Sequence, residues 1–150
     1  MTVEDAPGVA VGEVAPDFEL EDQHGAPVRL SSLRGRPVLL VFFPHAFTST
    51  CTDELCAIRD AGPELGVDGT QVVGVSCDPS PALRVFADQH GITHPLLSDF
   101  WPHGEVSRRY GAFFVPRGFS TRATFLLDAE GVVRAVRRFR GMEAPAASSR

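Results

Sequence analysis

The residue best suited to chemistry is Cys51, in the stretch VLLVFFPHAFTSTCTDELC that runs from Val38 to Cys56. Thr50, with Asp53 three places later, has the form of a capping box, and Leu55, Ile58 and Leu65 continue at helical spacing. The pattern predicts a helix opening at Cys51. The unpaired N–H groups of a first helical turn amount to roughly half a positive charge, so a thiol there ionises more easily than at its free pKa of about 8.5. The thiolate is the nucleophile. Polar Thr48, Ser49, Thr50 and Thr52 around it favour a reactive thiol over a small buried hydrophobe.

Such a cysteine must be held by something rigid. The unbroken apolar run 38–43, stopped by Pro44, predicts a strand buried on both faces rather than a helix. Residues 71–76 predict a second Val-rich buried strand, and 80–90 an amphipathic helix with Leu83, Phe86 and Ala87 inward. Phe18 and Leu20 alternate with acidic residues before a turn at 22–25 and a return strand at 28–30, which is a hairpin. Residues 95–97 read as a short strand, 105–110 as a short helix, and 121–127 with 132–138 as a closing hairpin. The expected fold is α/β, with a central mixed sheet flanked by helices and hairpins at both ends. The expected organisation is a flexible arm over 1–10, one domain over 11–140 and an irregular tail over 141–150.

Composition narrows the chemistry. At 150 residues with 43% hydrophobic and 22% charged content, the chain has the values of an ordinary globular domain. A net charge of −5 argues against nucleic acid as a partner, and no run reaches the ~20 apolar residues of a membrane span. All 14 basic residues are Arg, which excludes a Schiff-base lysine and a Walker-type phosphate loop. The acidic N-terminus lacks the basic and apolar regions of a signal peptide, so a cytoplasmic location is the expectation. The 3 cysteines then read as redox or structural thiols; they have no paired C-x-x-C spacing and, with 5 scattered His, complete no zinc site. No metal or cofactor is expected.

Pro44, Thr48 and Cys51 form a P-x-x-x-T-x-x-C signature, with Glu54 three residues on; PLLSDFWPHGEVSRRYG follows at 95–111, and TRATFLLD carries Arg122. These motifs, in this order, resemble the peroxiredoxin family, and VFFPHAFTSTCTDEL resembles its alkyl hydroperoxide reductase E branch. The resemblance spans roughly 11–138. It implies a thioredoxin-like fold with Cys51 at the carboxyl end of a central strand, and a thiol-dependent peroxidase that turns hydroperoxides into alcohols or water. It also implies roles: Cys51 as nucleophile, Thr48 as hydroxyl donor to the peroxide, Arg122 as the cation for thiolate and leaving oxygen, Pro44 as the residue that fixes the loop. Glu54 is the implied anchor of the Arg122 fork. Phe125 and Leu127, read as sharing its parity along the strand, set Arg122 on an apolar strand face, which favours a site role over that of a surface arginine.

Two departures from that branch stand out. Cys56, five residues after Cys51, matches the resolving position of the bacterioferritin comigratory branch, so recycling through Cys56 or through an external thiol are both open. The chain ends in GMEAPAASSR, without a match to the closing C-terminal helix of the family. Cys77, at the end of a buried strand, is either a second resolving thiol or a structural one. His45 reads as a loop residue rather than a base, and Phe100 and Trp101 as packing. Expected partners are a hydroperoxide substrate and a thioredoxin-like or low-molecular-weight thiol reductant. A homodimer is expected from the aromatics Phe100, Trp101, Tyr110, Phe113, Phe114 and Phe119, which crowd a span that reads largely as loop. Two other functions fit a lone reactive thiol: a thioredoxin-like disulfide oxidoreductase, disfavoured by the missing W-C-x-x-C pair, and a non-enzymatic redox-sensing protein.

Overall fold

The structure, a computed structural model, describes residues 8–47 and 69–138. The expected helix from Cys51, with Thr48, Glu54 and Cys56, lies outside the described residues, as does the tail 141–150. The apolar run becomes β3 (Val38–Phe42), with Leu40, Val41 and Phe42 fully buried. Phe43 continues its ladder by one bond, donating its N–H to the Val75 carbonyl at 3.0 Å. β3 pairs in parallel with β4 (Gln71–Ser76) and antiparallel with β8 (Ala123–Leu127). Apolar residues on both sides of such a central strand are what its position demands.

Around this trio the sheet extends, among the described residues, to seven strands in the order β2-β1-β5-β4-β3-β8-β9. β1 (Glu19–Glu21) and β2 (Pro27–Arg29) are the expected N-terminal hairpin, and β9 (Val133–Arg138) closes the other edge. The turn between β8 and β9 is set by Asp128, whose Oδ1 accepts the N–H groups of Glu130 and Val132 at 2.9 and 3.0 Å. β5 (Leu96–Ser98) pairs in parallel with β4. It begins one residue later than the sequence suggests, and the Pro95 carbonyl accepts the Gly74 N–H at 2.9 Å.

Two apolar clusters cover the two faces. One gathers Leu40, Phe42, Val73, Val75, Tyr110 and Phe125; the other gathers Phe43, Ala46, Leu83, Phe86, Ala87, Ile92 and Leu96. The second cluster exists because helix α1 (Ser80–His90) buries Leu83, Phe86 and Ala87, the face read from its spacing. α1 stops at Gly91, whose left-handed φ of 63° no β-branched residue would take without strain. A shorter helix, α2 (Glu105–Arg109), follows β5. Its first turn is capped by Asp99, whose carboxylate accepts the N–H groups of Val106 at 3.2 Å and Ser107 at 2.7 Å.

The span after α2 departs from the loop reading. Phe113–Phe114 (β6) and Phe119–Ser120 (β7) form a two-stranded hairpin of their own. The turn V-P-R-G between two aromatic-led pairs is the signal that marks it. Tyr110, Phe113 and Phe119 are buried in the subunit itself, so they no longer argue for an interface. Phe100 and Trp101 go the other way: both are exposed, Trp101 at 79%, and neither is the packing residue expected.

Candidate active site

The parallel strands β3 and β4 end together, Phe42 opposite Val75. Open sheets of this kind gather their chemistry at that end, beyond the carboxyl termini of the strands. Three of the segments that converge there are described: 43–47 after β3, 77–79 after β4, and 119–122 leading into β8. Pro44 is buried at the start of the first. The register of β3 against β8 pairs Phe42 with Ala123, so Arg122 stands one residue beyond the last pair, at the level of Phe43.

Arg122 is 1% exposed, the largest fully buried side chain of the described residues. The strand-face argument for its burial does not hold. Arg122 is three residues from Phe125, so alternation assigns it to the opposite face, and the buried positions of β8 are Ala123, Phe125 and Leu127. It is buried instead because alternation stops before the strand: Phe119, Ser120, Thr121, Arg122 and Ala123 are all buried in succession. The β6–β7 hairpin delivers this run, and the Thr121 N–H is fixed to the Ala112 carbonyl at 2.8 Å. A buried guanidinium is costly in water-poor surroundings and is retained where charge is needed.

The segment after β3 is held from below. The Ala46 N–H donates to Asp78 Oδ2 at 2.9 Å, and the Ser76 hydroxyl donates to the same oxygen at 2.8 Å. His45 Nδ1 lies 4.0 Å from Asp78 Oδ1, with its ring edge-on to Phe119 at 4.5 Å. His45 is therefore a loop residue packed sideways, as the sequence reading has it. Phe47 has a φ of 72°, the left-handed region that a bulky side chain rarely occupies, and its ring packs against Phe86 at 5.2 Å. That strain sits one residue before Thr48.

Cys77 follows β4 at the same end of the sheet. It is buried, and its Sγ is 3.5 Å from the Ser120 hydroxyl, which is 2.7 Å from the Ser107 hydroxyl. Burial pushes the Cys77 thiol up to about 11, so it is a neutral thiol at pH 7. These are the features of a structural cysteine. Asp99 completes this buried polar chain beneath α2, and burial raises its carboxyl above the ordinary range. Sequence reading missed Asp78, Ser107 and Ser120; the S-C-D run directly after a buried strand was the available signal for Asp78.

Among the described residues no group of His, Cys, Asp and Glu is arranged to hold a metal, and no helix is long and apolar enough to cross a membrane. A small depression lined by Leu30, Arg34, Val38 and Leu127 lies at the amino end of β3, away from Pro44 and Arg122.

Residues 11–136 match the model of the AhpC/TSA family. Alkyl hydroperoxide reductase E of Mycobacterium tuberculosis (strain ATCC 25618 / H37Rv) is 48% identical over 125 residues, covering 83% of this chain and 82% of that protein. A chloroplastic peroxiredoxin Q of Sedum lineare is 39% identical over 132 residues, 85% of this chain and 68% of the relative. Among solved structures, the peroxidoxin BcpB from Mycobacterium tuberculosis superposes with a TM-score of 0.80 at 36% identity, covering 87% of this chain and 86% of that one. The fold is thioredoxin-like, as the resemblance implied. With its mixed sheet, its buried arginine at the carboxyl end of β3 and these relatives, the chain belongs to the AhpC/TSA family and is a thiol-dependent peroxidase of the peroxiredoxin type.

Proposed function

We propose that Cys51 is the peroxidatic nucleophile and that Arg122, Thr48 and Pro44 complete its site. The observation that carries this reading is Arg122, a buried cation in register with the start of the loop that leads to Cys51. In the proposed step the Cys51 thiolate attacks the terminal oxygen of a hydroperoxide, a sulfur–oxygen bond forms and the oxygen–oxygen bond breaks. Sulfur is oxidised to a sulfenic acid, and the departing alkoxide or hydroxide takes up a proton to leave as alcohol or water. Negative charge moves from sulfur to the leaving oxygen, so donors must line that path. The Arg122 guanidinium offers a forked cation, the Thr48 hydroxyl a donor, and Glu54 a carboxylate to orient the fork. Pro44, buried and unable to donate a backbone bond, stiffens the entry to the loop.

Recycling goes through Cys56 or an external thiol. A second thiolate attacks the sulfenic sulfur, a disulfide forms and water leaves; a thioredoxin-like or low-molecular-weight dithiol then reduces the disulfide. On an intact helix Cys51 and Cys56 are about 7.5 Å apart along the axis and about 140° apart around it, beyond disulfide reach without backbone movement. The Cys56 route therefore requires the first turns to unwind in each cycle. The acting unit is the domain 11–140, with 1–10 and 141–150 as its arm and tail. The substrates are hydrogen peroxide and organic hydroperoxides, the setting the cytoplasm, and the assembly a homodimer, which the exposed Phe100 and Trp101 alone of the aromatic span now support.

Stopped-flow oxidation of the reduced protein tests the central claim: a rate near that of free cysteine, or an unchanged rate in Cys51→Ser, would end it. Mass spectrometry after one equivalent of peroxide separates the recycling routes. A 51–56 disulfide in the wild type and a persistent sulfenic acid in Cys56→Ser mark Cys56 as the resolving thiol. A persistent sulfenic acid in both marks an external thiol. Insulin reduction without peroxide consumption would favour the disulfide oxidoreductase instead.

A further inference from the structure

We propose that Asp78 is a positioning residue for the peroxidase reaction, acting through the segment 44–47 and resting on the reading of Cys51 as nucleophile. Asp78 is the residue where the ends of three parallel strands meet, two of them through its carboxylate and the third through its backbone carbonyl. Asp78 Oδ2 accepts the Ala46 N–H at 2.9 Å and the Ser76 hydroxyl at 2.8 Å, which ties the segment after β3 to the end of β4. The Asp78 N–H returns a bond to Ser76 Oγ at 3.2 Å, and the Asp78 carbonyl accepts the Ser98 hydroxyl at 2.7 Å, which adds the end of β5. The side chain is 18% exposed, so these bonds are largely shielded from competing water.

The anchor has a specific task. Ala46 lies between buried Pro44 and Phe47, whose left-handed backbone is strained. A strained conformation persists only where its surroundings over-determine it, and the Ala46 bond together with the Phe47–Phe86 ring contact supplies that restraint. Thr48 begins one residue later, with Cys51 three after that. The direction in which the chain leaves Phe47 sets where Thr48 and Cys51 stand relative to Arg122, and Asp78 fixes that direction. Neither the peroxide nor Cys51 needs to touch Asp78 for this.

The geometry requires an acceptor at Asp78, not a charge. An asparagine oxygen accepts the same two bonds, whereas alanine accepts none. The experiment compares Asp78→Asn, Asp78→Ala and a remote destabilising control, Tyr110→Phe, which removes the bond to the Pro16 carbonyl. Two readouts are taken on the reduced, full-length protein: hydrogen-exchange protection of the Ala46 amide, and the second-order rate of oxidation by hydrogen peroxide. Asp78→Ala is expected to lose Ala46 protection and to oxidise about ten-fold or more slowly, while Asp78→Asn stays within about three-fold of wild type on both. Tyr110→Phe is expected to melt lower yet keep both readouts. A wild-type oxidation rate in Asp78→Ala overturns the proposal, as does an Asp78→Asn variant as impaired as Asp78→Ala. A wild type inert to peroxide overturns the Cys51 reading instead, because Ala46 exchange reports the anchor without any turnover.

Discussion

Arg29 and Arg122 are the same residue type at two ends of one sheet, and they have little else in common. Arg29 closes the β1–β2 hairpin with its side chain 54% exposed, reaching Glu19 at 2.7 Å and Asp17 at 3.5 Å. Arg122 stands at the carboxyl end of β3 and is 1% exposed. An exposed ion pair exchanges one solvation for another and gains little. A buried guanidinium gives up its water, so its retention needs a return other than stability. The hairpin arginine lies on an exposed edge of the fold; the buried one lies inside it, where a charge is costly to keep.

The largest effect that separates the two is on rate. Arg122→Ala is expected to slow oxidation of Cys51 by about 10²-fold or more, the scale of losing one group that stabilises an oxyanion. Arg122→Lys should recover only part, since an ammonium keeps the charge and loses the planar fork. Peroxide stopped-flow on the reduced variants measures both. A wild-type rate in Arg122→Ala removes Arg122 from the site and reduces the contrast with Arg29 to burial alone.

Much of this contrast was legible in the sequence, though not for the reasons first available. The unbroken run 38–43 could only be a central strand, and the spacing of Leu83, Phe86 and Ala87 gave the inward face of α1, because both patterns report burial directly. Arg122 is singled out by family resemblance, while the alternation offered in its support runs the wrong way. Its burial comes from the β6–β7 hairpin, whose strands are too short to show a period. Asp78 stayed hidden for a related cause. Its bonds reach Ala46 and Ser98, 32 and 20 residues away, and no local pattern encodes a partner at that distance. The aromatics of 100–119 misled in the opposite sense: counted together they suggest an interface, yet Tyr110, Phe113 and Phe119 belong to the core.

Cys77 sharpens the comparison at an intermediate scale, because it shares the carboxyl end of the sheet and the burial of Arg122 but is a neutral thiol. Burial lifts its thiol to about 11. At pH 7 it should resist iodoacetamide under conditions that alkylate Cys51, and peptide mapping of the native protein reads the difference. The linkage has a definite sign. A group whose folded pKa is raised contributes stability that is fully present below the unfolded value and lost as pH rises through the folded one. Stability should therefore decline between about pH 9 and pH 11 from this residue, and Cys77→Ala should flatten that part of the curve. An equally steep decline in the variant would mean that another group titrates there.

The smallest effect belongs to Arg29. Both of its partners are also exposed, Asp17 at 40% and Glu19 at 47%, so water and salt screen each pair. Arg29→Ala is expected to cost less than about 1 kcal/mol and to lower the Tm by no more than about 3 °C. The β1–β2 register does not depend on it, because Leu20 opposite Val28 and the backbone ladder hold the hairpin. Asp17 also keeps a bond that Arg29 does not provide, its Oδ1 accepting the Ser31 N–H at 2.9 Å. The oxidation rate of Cys51 should be unchanged, since Arg29 pairs at the far edge strand of the sheet. Thermal melts at low and at high salt give the decisive reading. A wild-type and variant difference that vanishes in high salt is a screened surface pair. A loss of several kcal/mol that persists in salt would mean that Arg29 is structurally coupled to the core, and the division between the two arginines would then be one of degree.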